Sequence, residues 1–118
     1  MNQIKLKRLE AELVKTIGEI LLEESNDEFM KSVTITGSEI ASDLSFAKVY
    51  FTSMREEEHR KLEQEMNEAS DFIRKFVAEK MDLRQTPKLR FVYDESIAYG
   101  NRIEQILKKI KNRSNYIV

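Results

Sequence analysis

Residues 83–94 read L-R-Q-T-P-K-L-R-F-V-Y-D, from Leu83 to Asp94, and contain the chain's only proline, Pro87. The hydrophobic period changes there. Upstream, Leu62, Met66, Ala69, Ile73, Phe76 and Val77 recur every three or four positions. Downstream, Leu89, Phe91 and Tyr93 alternate with Lys88, Arg90 and Val92. A helix therefore gives way to a strand across one short connection. Proline suits that connection because it lacks an N–H and biases Thr86 away from helical geometry. The strand turns its apolar side to a helix layer and leaves two cations, Lys88 and Arg90, on its other side.

Working outward, Leu6, Leu9, Leu13, Ile17, Ile20 and Leu21 predict an amphipathic helix over about residues 3–24. Gly18 inside it costs about 1 kcal/mol relative to alanine, and a close helix–sheet approach is the expected reason. Val33-Thr34-Ile35-Thr36 is β-branched throughout and reads as a strand. The alternation slips after Gly37, so a bulge at Gly37 is expected to return Ile40 to the inner face. Ala41 to Leu44 forms a hairpin connection to an antiparallel strand, Phe46 to Thr52. That strand has Ala47, Val49 and Phe51 on one side and Phe46, Lys48 and Tyr50 on the other.

Residues 55–82 are helical, with a charged first turn, Arg55 to Glu58. Ser70 and Asp71 are capping residues within an unbroken stripe, so one kinked helix and two abutting helices both fit. Lys80 falls toward the stripe, which places the helix end near it or sends the side chain outward. Asp94 and Ser96 are N-cap candidates for a last helix carrying Ile103, Ile106, Leu107 and Ile110. The order is α-β-β-α(kinked)-β-α. The expected domain covers residues 1–111, with a loose tail at 112–118.

The 118 residues suffice for one domain. No apolar run approaches the roughly 20 residues of a membrane span, and the N-terminus lacks a signal-peptide h-region. Cytoplasm is therefore the expected compartment. Without cysteine there is no disulfide or thiolate metal site. The net charge of −1 hides an asymmetry. Residues 1–59 carry 7 basic and 12 acidic side chains, and residues 60–118 carry 13 and 9. Residues 74–90 alone hold six cations against two acids. Local potential, rather than net charge, attracts phosphate.

An enzyme is not what these residues suggest. The three glycines form no phosphate loop, and no strand–turn–helix elbow brackets a nucleophile. Glu56, His59 and Glu63 share a helical face, but such a set on a charged helix reads as a solvated surface rather than a metal site. No cofactor or small-molecule substrate is implied. Binding is better supported: Arg74, Lys75, Arg84, Lys88 and Arg90 come from consecutive elements, and the second strand adds Lys48 and Tyr50. Cations beside flat rings suit RNA. The competing reading is that the cations balance the acidic helix at 55–71.

D-L-S-F-A-K-V-Y-F (Asp43 to Phe51), F-I-R (Phe72 to Arg74), V-T-I-T (Val33 to Thr36) and L-R-Q-T-P-K-L-R-F-V-Y-D-E-S (Leu83 to Ser96) resemble bacterial ribosome-binding factor A. The likeness follows the element order over about residues 4–111. It implies a single α+β domain of KH type II character, with a three-stranded sheet and helices on one face. It also implies a non-catalytic factor, a monomer when free. Such a factor binds the small ribosomal subunit and 16S rRNA during late maturation and rRNA processing, and is linked to growth in the cold. The family replaces the KH phosphate loop by an Ala-x-Gly kink. Ala69 and Ser70 match it, but Asp71 stands where glycine is usual. A carboxylate there repels phosphate, so the kink carries over as a structural element only. Arg8, Lys48, Arg74 and Arg84 match basic positions of the family and become RNA contacts by resemblance. Lys75, Lys88 and Arg90 join them on charge alone. The alternative is a protein–protein module of the same fold that meets an acidic partner.

Overall fold

The computed structural model describes residues 2–25, 27–53 and 58–96. Seven elements follow in order: α1 (Gln3–Glu23), α2 (Glu28–Lys31), β1 (Val33–Ile40), β2 (Phe46–Ser53), α3 (His59–Glu68), α4 (Ser70–Lys80) and β3 (Lys88–Tyr93). The helix expected around Ile103 to Ile110 and the tail at 112–118 lie outside the described residues. So does most of the charged turn Arg55 to Glu58.

α1 begins where the Asn2 side chain accepts the Ile4 N–H at 2.8 Å, satisfying one of the free donors of the first turn. Its stripe of Leu13, Ile17, Ile20 and Leu21 is buried. Gly18 lies off that stripe, and a Cβ built on it would meet nothing within 4 Å. The expected close approach is thus corrected: the sheet lies against the other side of the helix. α2 was not expected, because four residues are too few to show a period. A local turn precedes it, in which the buried Ser25 hydroxyl accepts the Asp27 N–H at 3.1 Å.

The sheet has the order β1-β2-β3, with β1 antiparallel and β3 parallel to the central β2. A parallel pair needs a long crossover, and α3 with α4 supplies it. Register shifts between Ile35, which faces Phe51, and Gly37, which faces Tyr50. The extra residue of the bulge is therefore Thr36, one position before the expected site, and Ile40 is returned to the core as anticipated. Thr36 turns its hydroxyl to Asp94, 2.7 Å away. Between β1 and β2, Leu44 adopts φ 63, a left-handed conformation costing about 1–2 kcal/mol without glycine. Leu44 is buried, and that burial offsets the strain.

The inner sheet face presents Ala47, Val49 and Phe51 from β2 and Leu89, Phe91 and Tyr93 from β3, all buried. Leu13, Ile17 and Ile20 of α1, Leu62 and Met66 of α3, and Ile73 and Val77 of α4 cover it. The helix of 55–82 is broken at Ala69 (φ −89, ψ 1). Backbone bonding nevertheless runs through the break, from Ala69 N–H to Glu65 O and from Ile73 N–H to Ala69 O. Neither Ser70 nor Asp71 caps α4, which has no side-chain cap. The bend is thus a distortion within a continuous ladder. α4 ends at Lys80, whose ammonium meets Glu23 of α1 at 3.0 Å. That hydrogen bond raises the Lys80 pKa above its ordinary value, although burial opposes it.

Both sheet edges are occupied by helix side chains. The amides of Lys88 and Asp94 donate to Ser45 and Phe51, so the odd-numbered amides of β3 face outward. There Asn67 bonds both the N–H and the carbonyl of Phe91, and Glu63 accepts the Tyr93 N–H at 3.0 Å. On the opposite edge, Glu10 of α1 accepts the Ile40 N–H at 2.8 Å. These contacts satisfy groups that an open strand would offer to another chain.

Candidate nucleic-acid interface

Among the described residues, no element covers the outer face of the sheet. Period-two alternation brings Phe46, Lys48 and Tyr50 of β2 to that face, beside Lys88, Arg90 and Val92 of β3. The register places Phe46 opposite Lys88, Lys48 opposite Arg90, and Tyr50 opposite Val92. Lys48 also faces Glu39 of β1. Phe46, Lys48, Lys88 and Arg90 are exposed, and Tyr50 is half-buried. Burial and the neighbouring Glu39 carboxylate, in that order, push the Tyr50 phenol above its ordinary pKa, so it is neutral at physiological pH.

A second group of cations lies around the crossover. Asp71, Arg74 and Lys75 of α4 line one cleft together with Thr86 and Lys88. Arg74 is held in place: its Nε and a terminal guanidinium nitrogen donate to the Thr86 carbonyl at 3.2 and 2.8 Å. That carbonyl precedes the fully buried Pro87, so Arg74 fastens the connection from which the fold was read. Lys75 is on the exposed side of α4. Asp71 shares this cleft with three cations, which places its carboxylate within the positive patch.

Arg84 stands elsewhere, in a cleft with Asn2 and Lys5 of the α1 start and Ser42, Asp43 and Gln85. Arg8 is exposed on α1, in the helix layer, and lines neither cleft. The seven cations named from the sequence therefore form no single patch. Lys48, Lys88 and Arg90 share the sheet face, Arg74, Lys75 and Lys88 share the α4 cleft, and Arg84 and Arg8 lie apart. Lys88 belongs to both groups and joins them.

Acidic groups stand near some of these cations, Glu39 opposite Lys48 and Asp71 in the α4 cleft, without closing on them. Among the described residues, Lys48, Lys75, Arg84, Lys88 and Arg90 enter no ion pair, whereas Lys80 does. The reading in which they balance the acidic helix is thus weakened. Two further residues join these surfaces. Phe46 has the parity of Lys48 and Tyr50, a signal that it faces away from the core. Lys5 joins Arg84 only through tertiary folding, and no local pattern reveals it.

Of the metal-type set, Glu56 lies outside the described residues. Glu63 accepts the Tyr93 amide, and the His59 ring packs on Tyr93 with centroids 4.9 Å apart. Among the described residues, no three histidine or carboxylate side chains are grouped to hold a metal ion. No helix there is long and apolar enough to cross a membrane.

Comparison with known proteins places this geometry in a family. The family model described as ribosome-binding factor A matches residues 5–107. The ribosome-binding factor A of Macrococcus caseolyticus is 39% identical over 108 residues, covering 91% of this chain and 95% of that relative. The crystal structure of ribosome-binding factor A from Thermus thermophilus superposes with a TM-score of 0.67 at 23% identity. It covers 75% of this chain and 94% of that one. A Thermus thermophilus ribosome binding factor A fitted into a cryo-electron microscopy map of a 30S complex gives 0.63 at 23% identity, over 76% and 96% of the two chains. These two structural likenesses bear on the fold.

Proposed function

The chain belongs to the ribosome-binding factor A family, and from that premise we propose that it is a non-catalytic assembly factor of the small ribosomal subunit. It binds 16S rRNA during late maturation and rRNA processing, acts in the cytoplasm, and is monomeric when free. Residues 1–111 act as one RNA-binding unit, with 112–118 as a tail.

The observation that carries this reading is the set of cations without ion pairs on two adjoining surfaces, joined at Lys88. Phosphates are neutralised by Lys75, Lys88, Lys48 and Arg90, with Arg74 presented in a fixed orientation beside them. Arg84 and Arg8 are further contacts on the helix side. Because Asp71 lies in the α4 cleft, affinity for free RNA is modest, and shape of the subunit contributes more than base identity. The relative fitted into a 30S complex is compatible with the same role.

Sedimentation of lysate on a sucrose gradient tests the proposal. The protein is expected with free small subunits and absent from complete ribosomes. Changing Lys75, Lys88 and Arg90 together to glutamate is expected to release it from the subunit fraction while the circular dichroism spectrum is retained. Wild-type protein found only at the top of a low-salt gradient overturns the reading. Association that persists after nuclease treatment turns it toward a protein partner.

A further inference from the structure

The outer sheet face carries more than charge. Phe46 is a large apolar ring 38% exposed at the start of the central strand, where burial on the inner face would require the opposite parity. It borders a shallow depression with Ile40, Ala41, Glu39 and Lys48. Lys88 lies directly across from it, and the next row on the same face is Lys48 beside Arg90. An exposed ring with one unpaired cation across from it and a row of two beside it, against one acid at Glu39, is complementary to a flat base next to phosphates.

Resting on the RNA-binding reading above, we propose that this face is a platform for single-stranded RNA, with one unpaired base stacked on Phe46. Lys88 and the Lys48–Arg90 row neutralise the flanking phosphates. The Lys88 end of the platform continues into the α4 cleft, so the strand's backbone passes from Lys75 over Lys88 onto the sheet. A duplex cannot use the ring, because its bases are already stacked on each other. A single strand can, since every base has a face to offer. The assignment adds Phe46 as a contacting residue and specifies unpaired RNA as the ligand class.

The chain has no tryptophan, so Phe46→Trp installs a single reporter at the platform. Titration at low salt with a short unstructured pyrimidine RNA is expected to quench its fluorescence, whereas an RNA duplex of the same length leaves it unchanged. Phe46→Ala is expected to weaken binding of the single strand, measured by anisotropy, about 5- to 100-fold. Lys48→Gln with Arg90→Gln is expected to flatten the salt dependence. Unchanged fluorescence of Phe46→Trp while anisotropy reports saturated binding overturns the platform and leaves the subunit-binding reading intact. Failure of the wild-type chain to bind single-stranded RNA also overturns it, and the gradient then decides the wider function separately.

Discussion

The side-chain amide of Asn67 spans the backbone of Phe91, accepting its N–H at 2.8 Å and donating to its carbonyl at 2.9 Å. One helical side chain thereby supplies the two bonds that a fourth strand would make. Asn67 also donates to the Glu63 carbonyl of its own helix, which fixes its orientation. Asn67→Ala strands both Phe91 groups and is expected to destabilise the fold by about 1–3 kcal/mol. Gln64→Ala, on the exposed side of the same helix, is expected to stay within about 0.5 kcal/mol of wild type. Urea unfolding of the two variants checks the contrast.

Gly18 offers a gain in stability. It stands inside a 21-residue helix with open space where a Cβ would be. Gly18→Ala removes backbone freedom from the unfolded chain without a clash, so stability is expected to rise by about 0.5–1 kcal/mol. A higher midpoint in thermal unfolding checks it. A lower midpoint would mean that this face of α1 needs the glycine for a contact.

Arg74 and Lys75 are neighbours in sequence with different expected phenotypes. Arg74→Ala removes two charge-assisted bonds to Thr86 and is expected to cost about 1.5–3 kcal/mol. Its effect on subunit binding is therefore mixed with an effect on the β3 connection. Lys75→Glu is expected to leave stability within about 0.5 kcal/mol while weakening subunit association. Unfolding curves measured beside co-sedimentation separate the two.

Asp43 sets a small acid-side dependence. The Ser45 hydroxyl, and after it the Ser45 N–H, hold the Asp43 carboxyl below its ordinary value of 3.8. A depressed folded-state pKa stabilises the fold above the unfolded value, and that contribution is lost as pH falls through the folded one. Ser45→Ala is expected to return the Asp43 titration, followed by carboxyl NMR shifts, toward 3.8. Stability near neutral pH should then decline slightly.

Tyr50 gives a titration on the alkaline side. Burial is the first cause of its raised pKa, followed by Glu39, through its charge and a hydrogen bond, and then by the charge of Asp94. Glu39→Gln is accordingly expected to lower the Tyr50 pKa only part of the way to 10.0, as read from phenolate absorbance. A full return would assign the shift to the carboxylate instead.

The sequence by itself determined the order of the strands and of the longer helical segments through β3, and the inward parity of β2 and β3, while the four-residue α2 escaped it. Each is a local property: period two against period 3.6, or a proline at a junction, is written in consecutive residues. The residues matching ribosome-binding factor A were legible in the same way, as short motifs in order. Only the tertiary structure decided what long-range contact controls. It put the bulge at Thr36, beside Asp94, and left open space around Gly18. It bound Arg74 to Thr86 rather than leaving it free, and placed Asn67 and Glu63 on the edge of β3. It also divided seven cations between two joined surfaces and outlying positions. Charge spacing along the chain cannot reveal that division, because which side chains meet depends on strand register and helix packing. Those are fixed by burying one shared core, to which every element contributes and which no single segment encodes.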